Sequence, residues 1–274
     1  MAVKSPIRYF GGKSQLAKKH VNYEPSRYTV FGDCCVGGGS YLSVKDRIGV
    51  SEHANDLDGL LLNFFRVLQS PQHFAALVTR LESTPFSDQE FDLGSSILES
   101  PSITIVPNVE VAWAYFVVNR MSRMGLGNDY ATRTRRTRRE RNENVSAYRS
   151  AIESLYEFRD RILWVELRQM DLCEFIRLYD SPSTFFYVDP PYLLDTRVAG
   201  GYNVEMTEDD HLRLLCLLRD IEGKFMLCGY DHELYSHTEQ ECGWNRVEFQ
   251  VSKSSSSSNT KPVATEVIWR NYND

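Results

Sequence analysis

Eight residues, Phe185-Phe186-Tyr187-Val188-Asp189-Pro190-Pro191-Tyr192, constrain the fold of this chain more than any other stretch. The run begins apolar and aromatic without a polar interruption, the pattern of a strand buried on both faces of a parallel sheet. It stops at two prolines. Neither can donate to a sheet ladder, and Pro191 holds Pro190 extended. The strand therefore ends at Asp189. A rigid turn then presents the Asp189 carboxylate, the Pro190 carbonyl and the Tyr192 ring beyond the carboxyl end of a strand, the edge where open α/β sheets bind ligands.

A carboxylate and a carbonyl fixed side by side are two acceptors with no donor. They suit a planar amino group, which has two N–H bonds to give. Accepting both pulls electron density onto the nitrogen and favours its pyramidal, nucleophilic form, while an aromatic ring one step along can stack the base that carries it. Taken alone, the four residues also fit a strand-terminating turn with a surface Asp. Asp-Pro-Pro-Tyr after an aromatic strand resembles motif IV of the amino-methyltransferases, which methylate exocyclic nitrogens of adenine or cytosine with S-adenosylmethionine. Asp in first place resembles the adenine-N6 branch, since the cytosine-N4 branch more often has Ser there.

Other segments carry the same resemblance in order. Near the N-terminus stands Arg8-Tyr9-Phe10-Gly11-Gly12-Lys13-Ser14. A P-loop would need Gly at position 7, which is Ile, so that reading fails. The stretch instead resembles motif X of the Dam-type adenine methyltransferases, which implies that Tyr9, Gly12 and Lys13 touch the cofactor. Read without the family, it is a glycine turn before a basic helix. Tyr28 to Asp33 reads as a strand, followed by Cys34-Cys35-Val36-Gly37-Gly38-Gly39. Glycines there let backbone pass close to a ligand. The segment resembles motif I, with Asp33, Gly37 and Gly39 on the matching positions and Cys34-Cys35 where Pro-Phe is usual. A short strand from Ile48 then ends in Asn55-Asp56-Leu57-Asp58, about 20 residues after the glycine turn, where a doubly wound site places its ribose-binding acid. Asp56 is the matched position, and Asp58 suits an N-cap for the apolar helix Leu57 to Leu68.

Residues 59–144 change character. Helical patterns run over Leu60–Leu68, Phe74–Leu81 and Val109–Met124, Thr84 to Pro107 reads as a variable loop, and no parallel-strand signal intervenes. Then come Arg133, Arg135, Arg136, Arg138, Arg139 and Arg141, six arginines in nine residues of a chain whose net charge is −6. Such a run is either a solvated helix or arm, or a local site for the phosphates and guanine edges that guanidinium forks match. It lies where Dam-type enzymes carry their target recognition domain. The resemblance therefore implies DNA contact by Arg133, Arg135, Arg136, Arg138 and Arg139, with Arg120 and Arg123 on the preceding helix as further candidates.

Beyond residue 145 the core pattern returns. Ala147–Phe158 reads as an amphipathic helix, and Ile162–Leu167 as a strand. Asp171 follows it. By resemblance Asp171 faces the cofactor's adenine, and by local chemistry it caps the helix Leu172–Tyr179. Leu193–Met206, with Gly200-Gly201-Tyr202, reads as a loop. Thr207 and Asp210 carry a capping signature for a helix whose apolar face runs through Leu212, Leu215 and Leu218. Phe225–Tyr230 is a buried strand, Ser254–Ser258 a flexible tract, and Val263–Trp269 a last strand. Thr265-Glu266-Val267-Ile268-Trp269-Arg270-Asn271-Tyr272 resembles the family's closing segment.

No apolar run approaches the ~20 residues of a membrane span. The six cysteines form no CxxC and the six histidines no HExxH, so neither a metal nor a disulfide framework is expected. The motifs together make the chain resemble the Dam-type (alpha-group) adenine-N6 methyltransferases over nearly its whole length. The resemblance implies an α/β fold, the class I Rossmann-like methyltransferase sandwich with a mainly parallel sheet and one antiparallel strand. A catalytic part over residues 1–58 and 145–274 would flank a mostly helical recognition insertion over 59–144. It further implies S-adenosylmethionine as cofactor and double-stranded DNA as partner. It also implies a flipped adenine held by Asp189, Pro190, Pro191 and Tyr192, a monomer or weak dimer, and a place in the cytoplasm of a bacterium or phage-infected host. Two alternatives stay open on sequence: another amino target (cytosine N4 or RNA adenine), and a non-catalytic nucleic-acid-binding protein that kept the fold.

Overall fold

The computed structural model describes residues 3–9, 12–13, 15–46, 49–131, 134–196, 203–252 and 263–273. Phe10, Gly11, Ser14, Arg133, Gly200-Gly201-Tyr202 and the Ser254–Ser258 tract lie outside the described residues. In chain order the elements are α1 (Ala17–His20), β1 (Val30–Asp33), β2 (Ser51–Asn55), α2 (Gly59–Gln69), α3 (Pro71–Ser83), α4 (Asp88–Glu99) and α5 (Val109–Met121). A short hairpin, β3 (Thr137–Arg138) and β4 (Arg141–Asn142), leads into α6 (Glu143–Glu153), α7 (Leu155–Ile162) and β5 (Val165–Arg168). The remainder is α8 (Leu172–Tyr179), β6 (Thr184–Val188), α9 (Glu208–Asp220), β7 (Lys224–Tyr230), α10 (Glu233–Cys242), β8 (Asn245–Ser252) and β9 (Val263–Arg270).

A seven-stranded sheet has the order β5-β2-β1-β6-β7-β9-β8. β1 pairs in parallel with β2 on one side and β6 on the other, and β6 in parallel with β7. β9 runs against both neighbours, β7 and β8. The sheet is thus mainly parallel with one reversed strand, as expected. Strand order turns back at β1, so its carboxyl end and that of β6 flank the switch point where such sheets bind ligands. The register fixes this edge: Asp33 stands opposite Ala54 and Tyr187, and Cys34 N–H extends the ladder by donating to the Tyr187 carbonyl at 2.9 Å.

By packing, the chain forms two compact units. The first comprises residues 1–18, 36–46 and 58–169, the second 19–35, 47–57 and 170–274. In the second, β6 is buried at every position. Phe186 and Val188 join Leu172, Phe175 and Ile176 of α8, Leu214, Leu215 and Leu218 of α9, and Trp269 of β9 in one apolar core. The buried face of α9 runs through His211, Leu214, Leu215 and Leu218 while Leu212 is exposed, so the face expected from sequence is turned. Its start is as read: Thr207 and Asp210 close a reciprocal capping box.

In the first unit, α5 is buried almost all round, packed by α2, α3, α4 and α6. Several expectations are corrected there. Residues 84–107 are not all loop: Ser87 caps α4 by accepting from Glu90 N–H, and Gly94 lets that helix approach Ala114 and Val118 of α5. The helix expected over Ala147–Phe158 is two helices meeting at Ser154, whose hydroxyl donates to the Ala151 carbonyl at 2.8 Å. α7 runs to Ile162, so strand β5 begins only at Val165, and Leu163 and Trp164 are exposed. α6 and α7 fall in the same packing unit as α2, α3, α4 and α5.

Candidate active site

The turn after β6 is held from several sides within the second unit. Asp189 and Pro191 are partly buried, and Pro190 and Tyr192 are buried. The Asp189 carboxylate thus stands at a partly buried strand end. Tyr192 is only 6% exposed. Its hydroxyl donates to Glu266 Oε1 on β9 at 2.8 Å, and its ring meets that of Tyr230, at the end of β7, edge-on at 4.9 Å between centroids. Glu266 is itself buried. Neither Glu266 nor Tyr230 was singled out from sequence as a site residue. The available signal was a carboxylate in the middle of an apolar strand, which burial requires to be hydrogen-bonded.

The neighbouring strand ends bring further carboxylates to the same edge. Asp33 closes β1 and is buried; Asp56 follows β2 and is 9% exposed. Both, with Asp189, act on Cys35. Burial pushes the Cys35 thiol well above its ordinary range, and Asp56, Cys34, Asp189 and Asp33 push it further. The thiol is therefore neutral at physiological pH, a small, weakly polar group and not a nucleophile. The Cys34 thiol is raised by burial, then by Asp33 and Cys173. All six cysteines are free.

Asn55, the last residue of β2, was missed by the sequence reading. Its Nδ2 donates to the carbonyls of Cys34 at 3.2 Å and Met170 at 3.0 Å, and its Oδ1 accepts from Met170 N–H at 3.1 Å. One side chain thus ties the turn after β1 to the segment that precedes α8. Asp58 is the N-cap expected of it, accepting from Leu60 and Leu61 N–H. Asp171 caps α8 through Oδ1, and its Oδ2 pairs with Arg213 at 2.7 Å. Both oxygens of Asp171 are engaged within the protein.

In the first unit, Gly12 N–H donates to the Tyr9 carbonyl at 2.9 Å, closing a turn. Lys13 next to it is buried. Gly37 and Gly39 have φ of +47° and +70°, a region that L side chains rarely enter. A Cβ on Gly37 would lie 2.9 Å from the Tyr9 ring, and one on Gly39 2.9 Å from Phe158. These glycines are required by packing against protein rings, a use the sequence did not reveal.

The arginine run is neither a helix nor an arm. Arg138 stands opposite Arg141 in the β3–β4 hairpin, and Arg139 and Glu140 form its tip with φ of +53° and +60°. Both strands are exposed, as are Arg135, Arg136 and Arg123. Arg139 reaches Glu153 at 3.9 Å. Arg120, on α5, is partly buried and donates through Nη2 to the Ala147 carbonyl at 2.9 Å.

Among the described residues no helix is long and apolar enough to cross a membrane. No curated protein matches the chain. The family model of the D12 class N6 adenine-specific DNA methyltransferases matches residues 9–252, a span that takes in the β1, β2 and β6 strand ends and the hairpin. The chain belongs to the D12 class N6 adenine-specific DNA methyltransferases, and its reaction is methylation of adenine N6 in DNA.

Proposed function

We propose that Asp189 and the Pro190 carbonyl are the acceptors that hold the N6 amino group of an adenine flipped out of double-stranded DNA. The observation that carries this reading is the register of β1, β2 and β6, which gathers Asp33, Asp56 and Asp189 at one sheet edge around the neutral Cys35. Carboxylates there fit S-adenosylmethionine: Asp56 suits ribose hydroxyls, and a carboxylate-rich edge suits a cationic ligand. Tyr9, Gly12, Lys13, Asp33, Gly37 and Gly39 are assigned to the cofactor by resemblance. Asp171 is the weakest member of that set, because cap and ion pair occupy both its oxygens.

Bound S-adenosylmethionine supplies an electrophilic methyl group on a sulfonium. The protein's part is to make the amino nitrogen a nucleophile and keep it in line. Asp189 and the Pro190 carbonyl accept the two N6 hydrogens, and Asp189 offsets the positive charge that develops on nitrogen as it is methylated. Pro191 keeps the turn rigid. Tyr192, held by Glu266 and Tyr230, gives the base a fixed aromatic edge. We assign recognition to residues 59–144, with the arginine hairpin against DNA, and take the enzyme to act as a monomer or weak dimer in a bacterial or phage-infected cytoplasm.

The test is methyl transfer from labelled S-adenosylmethionine to duplex DNA by Asp189→Ala beside the wild type, with nucleoside analysis of the product. Turnover should fall by at least ~10³ with the melting temperature unchanged. Near-normal N6-methyladenine formation by Asp189→Ala would remove Asp189 from the chemistry.

A further inference from the structure

Within the second unit, two segments answer each other in the same order beside the Asp-Pro-Pro-Tyr turn. The first is residues 192–195. Leu193 is buried in the core and Leu194 is half exposed. Leu194–Thr196 forms one tight turn, closed by Thr196, whose N–H and Oγ1 donate to the Leu193 carbonyl at 3.1 and 2.7 Å. The second segment is residues 230–232, the end of β7 and the approach to α10. Tyr230 meets Tyr192 edge-on, and His232 Nε2 lies 3.0 Å from Asp195 Oδ2. Between them Asp231 pairs at 2.9 Å with Arg246 of β8, which also pairs with Glu239 and Glu248. The second segment is thus fixed to its own sheet edge and reaches the first at two points.

His232 is also the N-cap of α10: its Nδ1 accepts from Leu234 N–H at 3.2 Å. Because Nδ1 accepts, the proton of the neutral ring sits on Nε2 and is donated to Asp195. Both ring nitrogens are used, and the ring has one tautomer. A cap needs a single acceptor, which Ser, Asp or Asn, the preferred caps, would supply. What His adds is a second nitrogen, and its partner is Asp195. The Asp195 side chain is 65% exposed, that of His232 only 25%. A carboxylate on a short exposed turn has many orientations in water, and a bond to a ring held from both sides selects one.

We propose that His232 is a positioning residue for methyl transfer: through Asp195 it holds the turn that follows Tyr192, and so keeps the Pro190 carbonyl and the Tyr192 ring set for the adenine. The inference rests on the reading that Asp189, the Pro190 carbonyl and Tyr192 hold that base. The experiment is single-turnover methyl transfer to duplex DNA at saturating S-adenosylmethionine, with the melting temperature and cofactor affinity of each full-length variant measured alongside. The variants are His232→Asn, Asp195→Ala, Asp195→Asn and the pair His232→Asn with Asp195→Ala. Asn at 232 keeps the cap and is too short to reach Asp195. His232→Asn and Asp195→Ala should each slow transfer by about 3- to 5-fold, the range open to a partly exposed pair, with melting temperature and cofactor affinity unchanged. The pair should be no slower than either alone, since one bond is lost only once. Asp195→Asn, whose Oδ1 still accepts from Nε2–H, should recover most of the rate that Asp195→Ala loses. A wild-type rate in Asp195→Ala overturns the inference, and so do losses that multiply in the pair. A slower, less stable His232→Asn beside a wild-type rate in Asp195→Ala would make His232 a cap alone. Asp189→Ala in the same assay separates the two readings. If it abolishes transfer while the His232 and Asp195 variants match the wild type, the acceptor reading stands and this inference falls. If it transfers normally while the His232 and Asp195 losses stay coupled, the acceptor reading falls and the role of the turn in transfer stands.

Discussion

At the end of β6 the turn that carries Asp189 is answered from within the protein: Tyr192 by Glu266 and Tyr230, the neighbouring strand ends by Asn55. At the β3–β4 hairpin the opposite holds. Like charges, Arg138 and Arg141, face each other across the ladder, and Arg139 and Glu140 occupy a left-handed turn that favours Asn-Gly. The first region is tied by its own side chains, and the second carries like charges and a left-handed turn at a local cost. Chemistry on an amino group needs acceptors placed to fractions of an ångström. Binding a polyanion needs charge held at a surface, and tolerates strain. The contrast predicts that removing groups from the strand end damages catalysis or cofactor binding, whereas removing charges from the hairpin weakens DNA binding and leaves the fold unharmed or more stable.

The largest effect that would test the contrast comes from the hairpin. Replacing Arg135, Arg136 and Arg138 with Ala should flatten the salt dependence of duplex binding by up to ~3 in log–log slope, with cofactor affinity unchanged. Equal slopes for triple mutant and wild type would reduce the hairpin to solvated surface. Next in size is Asp56→Ala. Loss of a charged hydrogen bond should weaken S-adenosylmethionine binding by ~1.5–3 kcal/mol in calorimetry, with little change in DNA affinity; an unaltered cofactor affinity would leave Asp56 without a ligand role. Tyr192→Phe keeps the ring and removes a hydrogen bond to the buried Glu266, which should lower stability by ~1–3 kcal/mol in urea unfolding. The smallest effect is local. Glu140→Gly relieves a left-handed residue, about 1 kcal/mol, and should slow amide exchange at Arg138 and Arg141; faster exchange would show that the tip is not strained.

The same contrast explains what the sequence could disclose. β6 and β7 were legible because each is an apolar run too short for a helix and bounded by Pro or Gly. β8 was missed although Asn245–Ser252 alternates polar and apolar residues, the signature of a half-buried strand; the serine tract beyond it drew the reading towards a loop. α4 was hidden by Gly94, which disfavours a helix in isolation and is needed there for close packing on Ala114. Ser87 with Glu90 was the signal that could have found it. The hairpin was illegible because its turn residues are Arg139 and Glu140, and no local rule places those at positive φ. In the site, Asp33, Asp56 and Asp189 could be picked out as the residues that follow strand signals. Asn55 and Glu266 act through partners more than 70 residues away, and no spacing rule reaches that far.

The most direct test of the acceptor pair is single-turnover methyl transfer by Asp189→Asn. The amide has the shape of the carboxylate, yet one of its two terminal atoms is a donor, so shape is kept while acceptance is lost. The account predicts a rate reduced by ~10² or more, with S-adenosylmethionine and DNA affinities close to those of the wild type. A rate within a few-fold of wild type, at equal affinities, would contradict the claim that Asp189 and the Pro190 carbonyl activate the adenine amino group by accepting its hydrogens.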